Sequence, residues 1–295
     1  MLDKSAREAR IRFKLNNIVV DPDEYFQFRN GKKTNGCTKL MVLIYEKHYR
    51  HFAVKFINEN PDQVNLTNGD GWTALHIACF QIEKDCCRYD VQGDIICALI
   101  DAGADINSQD NEGYTPLMRL LDRDDGGWLE SVDIFNVLMG KSCDVNLQNW
   151  QGETALHIYI RYGSDPRIIA PILGAGFDIN CVDDFGKNVL MIFASRYHGC
   201  YHLGGGVQIV RNFKTMIRHG ININSQDQDG NTVLHMVARC NDLVQLLIQN
   251  GSDVNIRNNN NKSPIMLKHI PSTSIATLRK AGAIDRPLRH RCIIS

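Results

Sequence analysis

The chain has 295 residues, 43% of them hydrophobic and 22% charged, with 33 Lys and Arg against 33 Asp and Glu. That is a globular composition, which excludes a chain disordered throughout. Zero net charge leaves no overall field to draw the chain to nucleic acid, and no nucleic-acid partner is expected.

Residues 1–34 begin MLDKSAREARIRFK, which is charged and lacks the apolar segment of a secretory signal. The stretch SAREARIRFKLNNIVV reads as a charged helix and DPDEYFQF as the start of another. An N-terminal helical cap or extension is therefore expected there, covering the apolar face of the segment that begins at residue 35. A short recruitment motif such as an F-box is the alternative, although no Leu-Pro opening supports it.

From residue 35 two short motifs recur. In the first, a Gly stands two residues before a hydroxyl or Asn, as in Gly71-Trp-Thr73-Ala-Leu75, Gly113-Tyr-Thr115-Pro-Leu117 and Gly152-Glu-Thr154-Ala-Leu156. In the last copy Asn261 replaces that Gly. The second motif ends in Asn at 65, 107, 146, 180, 224 and 255. Each of these Asn residues stands eight residues before the next hydroxyl or Asn, at 73, 115, 154, 188, 232 and 263. A polar segment of constant length that closes on Gly is a turn whose geometry must match its neighbours, and Gly or Asn suits a positive φ there. The Thr, Ser or Asn after that turn is a helix N-cap, with Pro116 and Pro264 at the first helical position. A second apolar run closed by Gly, such as DIICALIDAG, forms a second helix.

A turn and two helices in about 33 residues, opening T-x-L-H, resembles the ankyrin-repeat family. The resemblance is carried by Thr73-Ala-Leu-His76, Thr154-Ala-Leu-His157, Thr232-Val-Leu-His235, Gly103-Ala-Asp-Ile-Asn107 and Gly251-Ser-Asp-Val-Asn255. It implies an all-α fold, a solenoid of about seven helix-turn-helix repeats over residues 35–285 joined by β-turn or hairpin segments. It also implies a structural role for the three His residues and a protein-binding function with no enzymatic activity and no cofactor. Partners of this family dock on the turn tips and first helices. Trp72, Tyr114, Trp150 and Phe185, beside Asp70, Glu112, Gln151 and Lys187, are the candidate binding residues. Each aromatic either meets a partner or packs against the neighbouring turn.

The hydroxyl-to-hydroxyl periods are 35, 42, 39, 34, 44 and 31, so the variation lies within the helix pairs. The extra residues fall at about 80–93, 122–129 and 197–206, and mark either a binding face or drift in tolerant loops. His198, Cys200 and His202 stand one residue apart, a spacing unlike a structural zinc site, and no metal is expected. An enzyme or metalloprotein that uses the 197–206 loop is the remote alternative. Ten cysteines without C-x-x-C pairing read as reduced, mostly buried thiols.

Residues 286–295 form a basic tail ending Cys292-Ile293-Ile294-Ser295, a C-a-a-X pattern of the farnesyl type. Prenylation of Cys292, helped by Arg286, Arg289 and Arg291, would hold the protein peripherally on the cytosolic face of membranes. An ankyrin array with such a tail resembles prenylated effectors of intracellular bacteria, which act in the host cell, or viral ankyrin proteins. The leading expectation is a membrane-tethered interaction module for an unidentified protein partner. A soluble cytosolic adaptor with an unmodified tail is the alternative.

Overall fold

A computed structural model describes residues 26–27, 33–45, 50–81, 89–122, 128–141, 143–196 and 206–285. The chain divides into two units, residues 1–150 and 151–295.

In the first unit the strands β1 (Phe26–Gln27) and β2 (Lys33–Thr34) pair antiparallel, with Phe26 opposite Thr34. This corrects the expectation of a helix starting at DPDEYFQF. The aromatic run Tyr25–Phe28 favours extended backbone, and Asn30-Gly31 between the two strands is a hairpin signal. The other residues of the expected N-terminal cap lie outside the described ones.

Among the described residues, six α-helices come next in the first unit. They are α1 (Lys39–Tyr45), α2 (Arg50–Glu59), α3 (Ala74–Phe80), α4 (Tyr89–Asp101), α5 (Pro116–Leu121) and α6 (Trp128–Gly140). The odd-numbered helices are short and largely buried, and α3 lies between two like itself. Thus α3 packs on α1 and on α5, and every residue of α5 is buried. The longer even-numbered helices pack on each other, α4 touching both α2 and α6, and keep an exposed face. Leu40, Trp72, Leu75, Leu99, Phe135 and Leu138 form the core between the layers. Each large side chain buried there contributes about 1.5–3 kcal/mol, which no single repeat could collect by itself.

The second unit repeats the scheme with α7 (Ala155–Ile160), α8 (Pro166–Gly174), α9 (Val189–Ser195), α10 (Gly206–Arg218), α11 (Val233–Val237) and α12 (Asn241–Gln249). The seventh copy departs from it. Its first helix is a single 3-10 turn, Pro264–Met266, succeeded by α13 (Ser272–Lys280). Leu267 is already extended and His269 takes a positive φ of 61°, so the helix stops after one turn. Of the expected insertions, the one at 80–93 is cut short by α4, which begins at Tyr89, whereas α6 begins at Trp128 and α10 at Gly206, at the ends of the expected segments. Their remaining residues, 82–88, 123–127 and 197–205, lie outside the described ones.

Candidate functional site

Five of the turns that precede a first helix share one hydrogen-bond pattern. Asp110 N–H donates to Tyr114 C=O at 2.9 Å, and its Oδ1 accepts from the N–H groups of Glu112 and Tyr114 at 2.9 and 3.0 Å. Asp183 and Asp227 do the same, and so do Asn68 and Asn258. Asp and Asn fit because one side-chain oxygen can bridge two turn N–H groups. The chain then reverses at a positive φ, +79° at Gly113 and 57° at Asn261.

Each turn is also bonded to the one before it. In the first unit Asn111 N–H donates to Asp70 C=O at 3.0 Å and Trp150 N–H to Glu112 C=O at 3.1 Å. In the second, Asp184 donates to Gln151, Gln228 to Phe185 and Asn259 to Asp229, each at 2.9 Å. The expected common turn conformation is therefore present in both units. Stacking leaves no space for a side chain at the turn Gly: a Cβ on Gly113 would lie 2.9 Å from Asn149 Cα and from Trp150 N. Gly113→Ala is expected to cost about 2 kcal/mol or more, from its left-handed φ together with the clash. Gly103→Ala, at φ +90° with nothing within 4 Å, should cost about 1 kcal/mol, from φ alone. Urea denaturation of the two variants checks the ordering.

The Asn that ends the second motif forms a ladder that sequence reasoning did not assign. Asn65 accepts from Asp105 N–H at 2.8 Å and donates to Gly103 C=O at 2.9 Å. Asn224 and Asn255 hold Asp253 N–H and Ile284 N–H in the same way, and Asn107 accepts from Asp144 N–H at 2.9 Å. The fixed spacing of these Asn residues was the signal for this role.

Thr73, Thr115, Thr154 and Asn188 cap their helices by accepting the N–H three residues on. At His76 the ring completes the box. Thr73 N–H donates to Nδ1 at 3.1 Å, so Nε2 carries the proton and donates to Tyr114 C=O at 2.9 Å. His235 repeats this with Lys262 C=O at 2.9 Å. His157 keeps the cap, but its Nε2 closes no bond of good geometry, although the Lys187 and Cys181 backbone lies near it. Burial pushes His76 and His157 down to about 4 and also lowers His235. These three rings are neutral and structural.

The eight candidate binding residues separate by their place in the turn. Trp72 and Tyr114 stand directly after the Gly and are buried, at 1% and 9% exposure, so of the two alternatives these rings take the packed one. Arg119 explains this: its guanidinium lies 4.8 Å from the Trp72 ring and 3.9 Å from the Tyr114 ring. It also bonds Asp110 Oδ2 through Nε and Nη2 at 2.8 and 2.5 Å, and Glu112 at 2.5 Å. Glu112 is thereby engaged within its own turn, although its side chain remains half exposed. Trp150 and Phe185 stand before the Gly and are 68% and 60% exposed. The Trp150 indole donates to Asn111 C=O at 2.8 Å, which fixes the ring across the preceding tip. Lys187 Nζ lies 6.0 Å from the Phe185 ring. Gln151 is exposed and Asp70 partly so.

No group of three His, Cys, Asp or Glu able to hold a metal occurs among the described residues. His198, Cys200 and His202 lie outside them, as do Cys292, Arg286, Arg289 and Arg291. Burial raises the Cys79 thiol and pushes Cys143 up to about 12, so neither is a reactive thiolate. Among the described residues no helix is long and apolar enough to cross a membrane.

Comparison with known proteins finds two family models, both describing ankyrin repeats. One of three copies matches residues 40–148 and one of many copies matches residues 216–267, together more than half of the chain. The B-cell lymphoma 3 protein homolog of Mus musculus is 24% identical over 207 residues, spanning 70% of this chain and 41% of that protein. The neurogenic locus notch homolog protein 1 of Xenopus laevis is 31% identical over 136 residues, 46% of this chain and 5% of that protein. The chain thus spans less than half of either relative. Among solved structures, the ankyrin repeat domain of Bcl-3 superposes with a TM-score of 0.62 at 21% identity, covering 83% of this chain and 99% of that one.

Proposed function

This chain belongs to the ankyrin-repeat family and is a protein-interaction module, and on that premise we propose that protein partners dock on its exposed turn tips, Trp150 in the first unit and Phe185 in the second. The observation that carries this reading is their exposure, 68% and 60%, on turns whose backbone is already fixed by stacking. A rigid aromatic loses little entropy on binding and offers a large apolar area, the usual character of a binding hot spot. Trp72 and Tyr114 have no place in this surface. The test is affinity capture with the wild type and with Trp150→Ala/Phe185→Ala. The double variant should unfold within about 0.5 kcal/mol of wild type, since neither ring is in the core. It should lose a protein that wild type retains; equal recovery of every captured protein would rule the tips out.

A membrane tether is the finer proposal. Where Ser295 carries the free carboxylate, Cys292 is the thiol that a farnesyltransferase would alkylate, with Arg286, Arg289 and Arg291 attracted to an anionic cytosolic leaflet. The support is the Cys-Ile-Ile-Ser tetrapeptide beside those arginines. Cys292→Ser should then move the protein from the membrane to the soluble fraction of a eukaryotic cell. Absence of labelled isoprenoid from the wild type would leave the soluble adaptor. Irregular periods of 31 to 44 residues are the support for an effector of bacterial or viral origin.

A further inference from the structure

The zero net charge conceals a segregation of charge along the chain. Residues 50–150 carry 17 Asp and Glu against 7 Lys and Arg, a net −10, whereas residues 151–295 carry 10 against 16, a net +6. The acidic part belongs to the first unit. Between its outer helices α2 and α4 lies an open groove of about 670 Å³. Val54 of α2, Ala98 of α4 and Ala102 just beyond α4 supply its apolar lining, above the buried Ile57. The two alanines stand four residues apart at the C-terminal end of α4, and their small side chains admit close approach of another backbone.

Asp94 and Asp101 line the same groove. Seven residues separate them, two helical turns or about 10.5 Å, so both carboxylates fall on one face of α4. Both are exposed. Asp94 has no ion-pair partner among the described residues, and Asp101 has only the exposed Lys141, 3.1 Å away. Lys55, the lysine of α2, is paired with Glu59 on its own helix.

We infer that this groove is a second docking site, taking an amphipathic helix of a partner protein that carries Lys or Arg two turns apart. The apolar stripe of such a helix fits between α2 and α4, and its cations meet Asp94 and Asp101. Charge complementarity selects the occupant. With residues 1–49 included the first unit still carries 23 Asp and Glu against 17 Lys and Arg, a net −6, which repels nucleic acid, anionic lipid and acidic peptides and attracts a basic segment from a distance. The site is separate from the Trp150 and Phe185 tips and does not depend on them.

The probe is a fluorescent 18-residue Leu/Lys amphipathic peptide with lysines seven apart, compared with a Leu/Glu peptide of the same pattern. Anisotropy with the full chain should show binding of the Lys peptide alone, weakening between 50 and 300 mM salt. Asp94→Lys/Asp101→Lys should weaken it by about tenfold or more, while Asp133→Lys/Asp144→Lys, the same charge change outside the groove, should stay within about threefold. Cys97 also lines the groove and is partly exposed, so bound peptide should slow its alkylation in the wild type and leave Cys181 unchanged. That footprint needs no folded variant. Equal weakening by both double reversals, binding of the Glu peptide, or an unprotected Cys97 would overturn the site. Loss of binding in Trp150→Ala/Phe185→Ala would move the peptide to the tips and overturn it also. Displacement of the probe by a peptide of residues 1–20, at equal or lower concentration, would make the occupant this chain's own basic segment.

Discussion

Arg119→Met should destabilise the first unit by about 3–5 kcal/mol, because it removes one partner of a buried ion pair and leaves the other in place. The Arg119 and Asp110 side chains are 9% and 0% exposed, and the pair is closed at 2.5 Å. Asp110 Oδ1 would keep its two turn N–H donors, but Oδ2 would lose the guanidinium that bonds it. The methionine would still fill the space between the Trp72 and Tyr114 rings, so the loss is electrostatic and not a cavity. A second substitution separates the causes. Asn occupies the position of Asp110 in other turns, at Asn68 and Asn258, where it bonds the same two N–H groups. Asp110→Asn/Arg119→Met should therefore recover stability to within about 1 kcal/mol of wild type. Urea denaturation of the single and double variants decides. A double variant as weak as the single one would show that the ring contacts, and not the charge, were lost.

Acidification below neutrality should destabilise the fold well before the carboxylates titrate. His76 and His157 are held near 4 in the folded chain, against 6.5 when unfolded, and burial is the main cause at both. Between those values the unfolded chain binds more protons, so stability present above pH 6.5 is lost as pH falls toward 4. Each ring contributes about 1.4 kcal/mol per pH unit, on the order of 3 kcal/mol across the window. His235, lowered by burial as well, acts in the same direction. Asp183, raised by burial, opposes them. The chemistry of the bond agrees with the sign: Nδ1 accepts the cap N–H and cannot do so once protonated. His157→Gln keeps an acceptor at the third helical position, as in an ordinary capping box, but does not titrate. Its urea midpoint should depend less on pH, by about one proton, between pH 7 and 5. An unchanged slope in that variant would show that His157 is not one of the responsible groups.

Much of this was legible in the residues. The eight-residue interval from Asn65 to Thr73, kept through Asn255 to Ser263, announced turns of one geometry, and the backbone bonds between tips are its physical basis. The Thr–His pairs announced the caps. The binding residues were legible only in half. Trp72, Tyr114, Trp150 and Phe185 look alike as aromatics near a Gly, yet the first two come after it and the last two precede it. That offset decides the side of the turn, but it does not reveal that Arg119, several residues on, would roof both inner rings. Nor could a balanced total charge disclose the acidic stretch at 50–150. The hairpin pairing at Phe26–Gln27 was missed because the acidic DPDE before it resembles a helix start.

The bonds that join successive tips also make position within each unit discrete. A tip cannot slide by a fraction of its spacing, because its N–H would leave the one carbonyl that accepts it. Adjacent tips therefore act as the marks of a ruler, and a partner reaching two of them must match a whole number of intervals. One residue inserted between its anchor points would not be absorbed by a small adjustment here. The partner would have to bulge, or release one of its two marks.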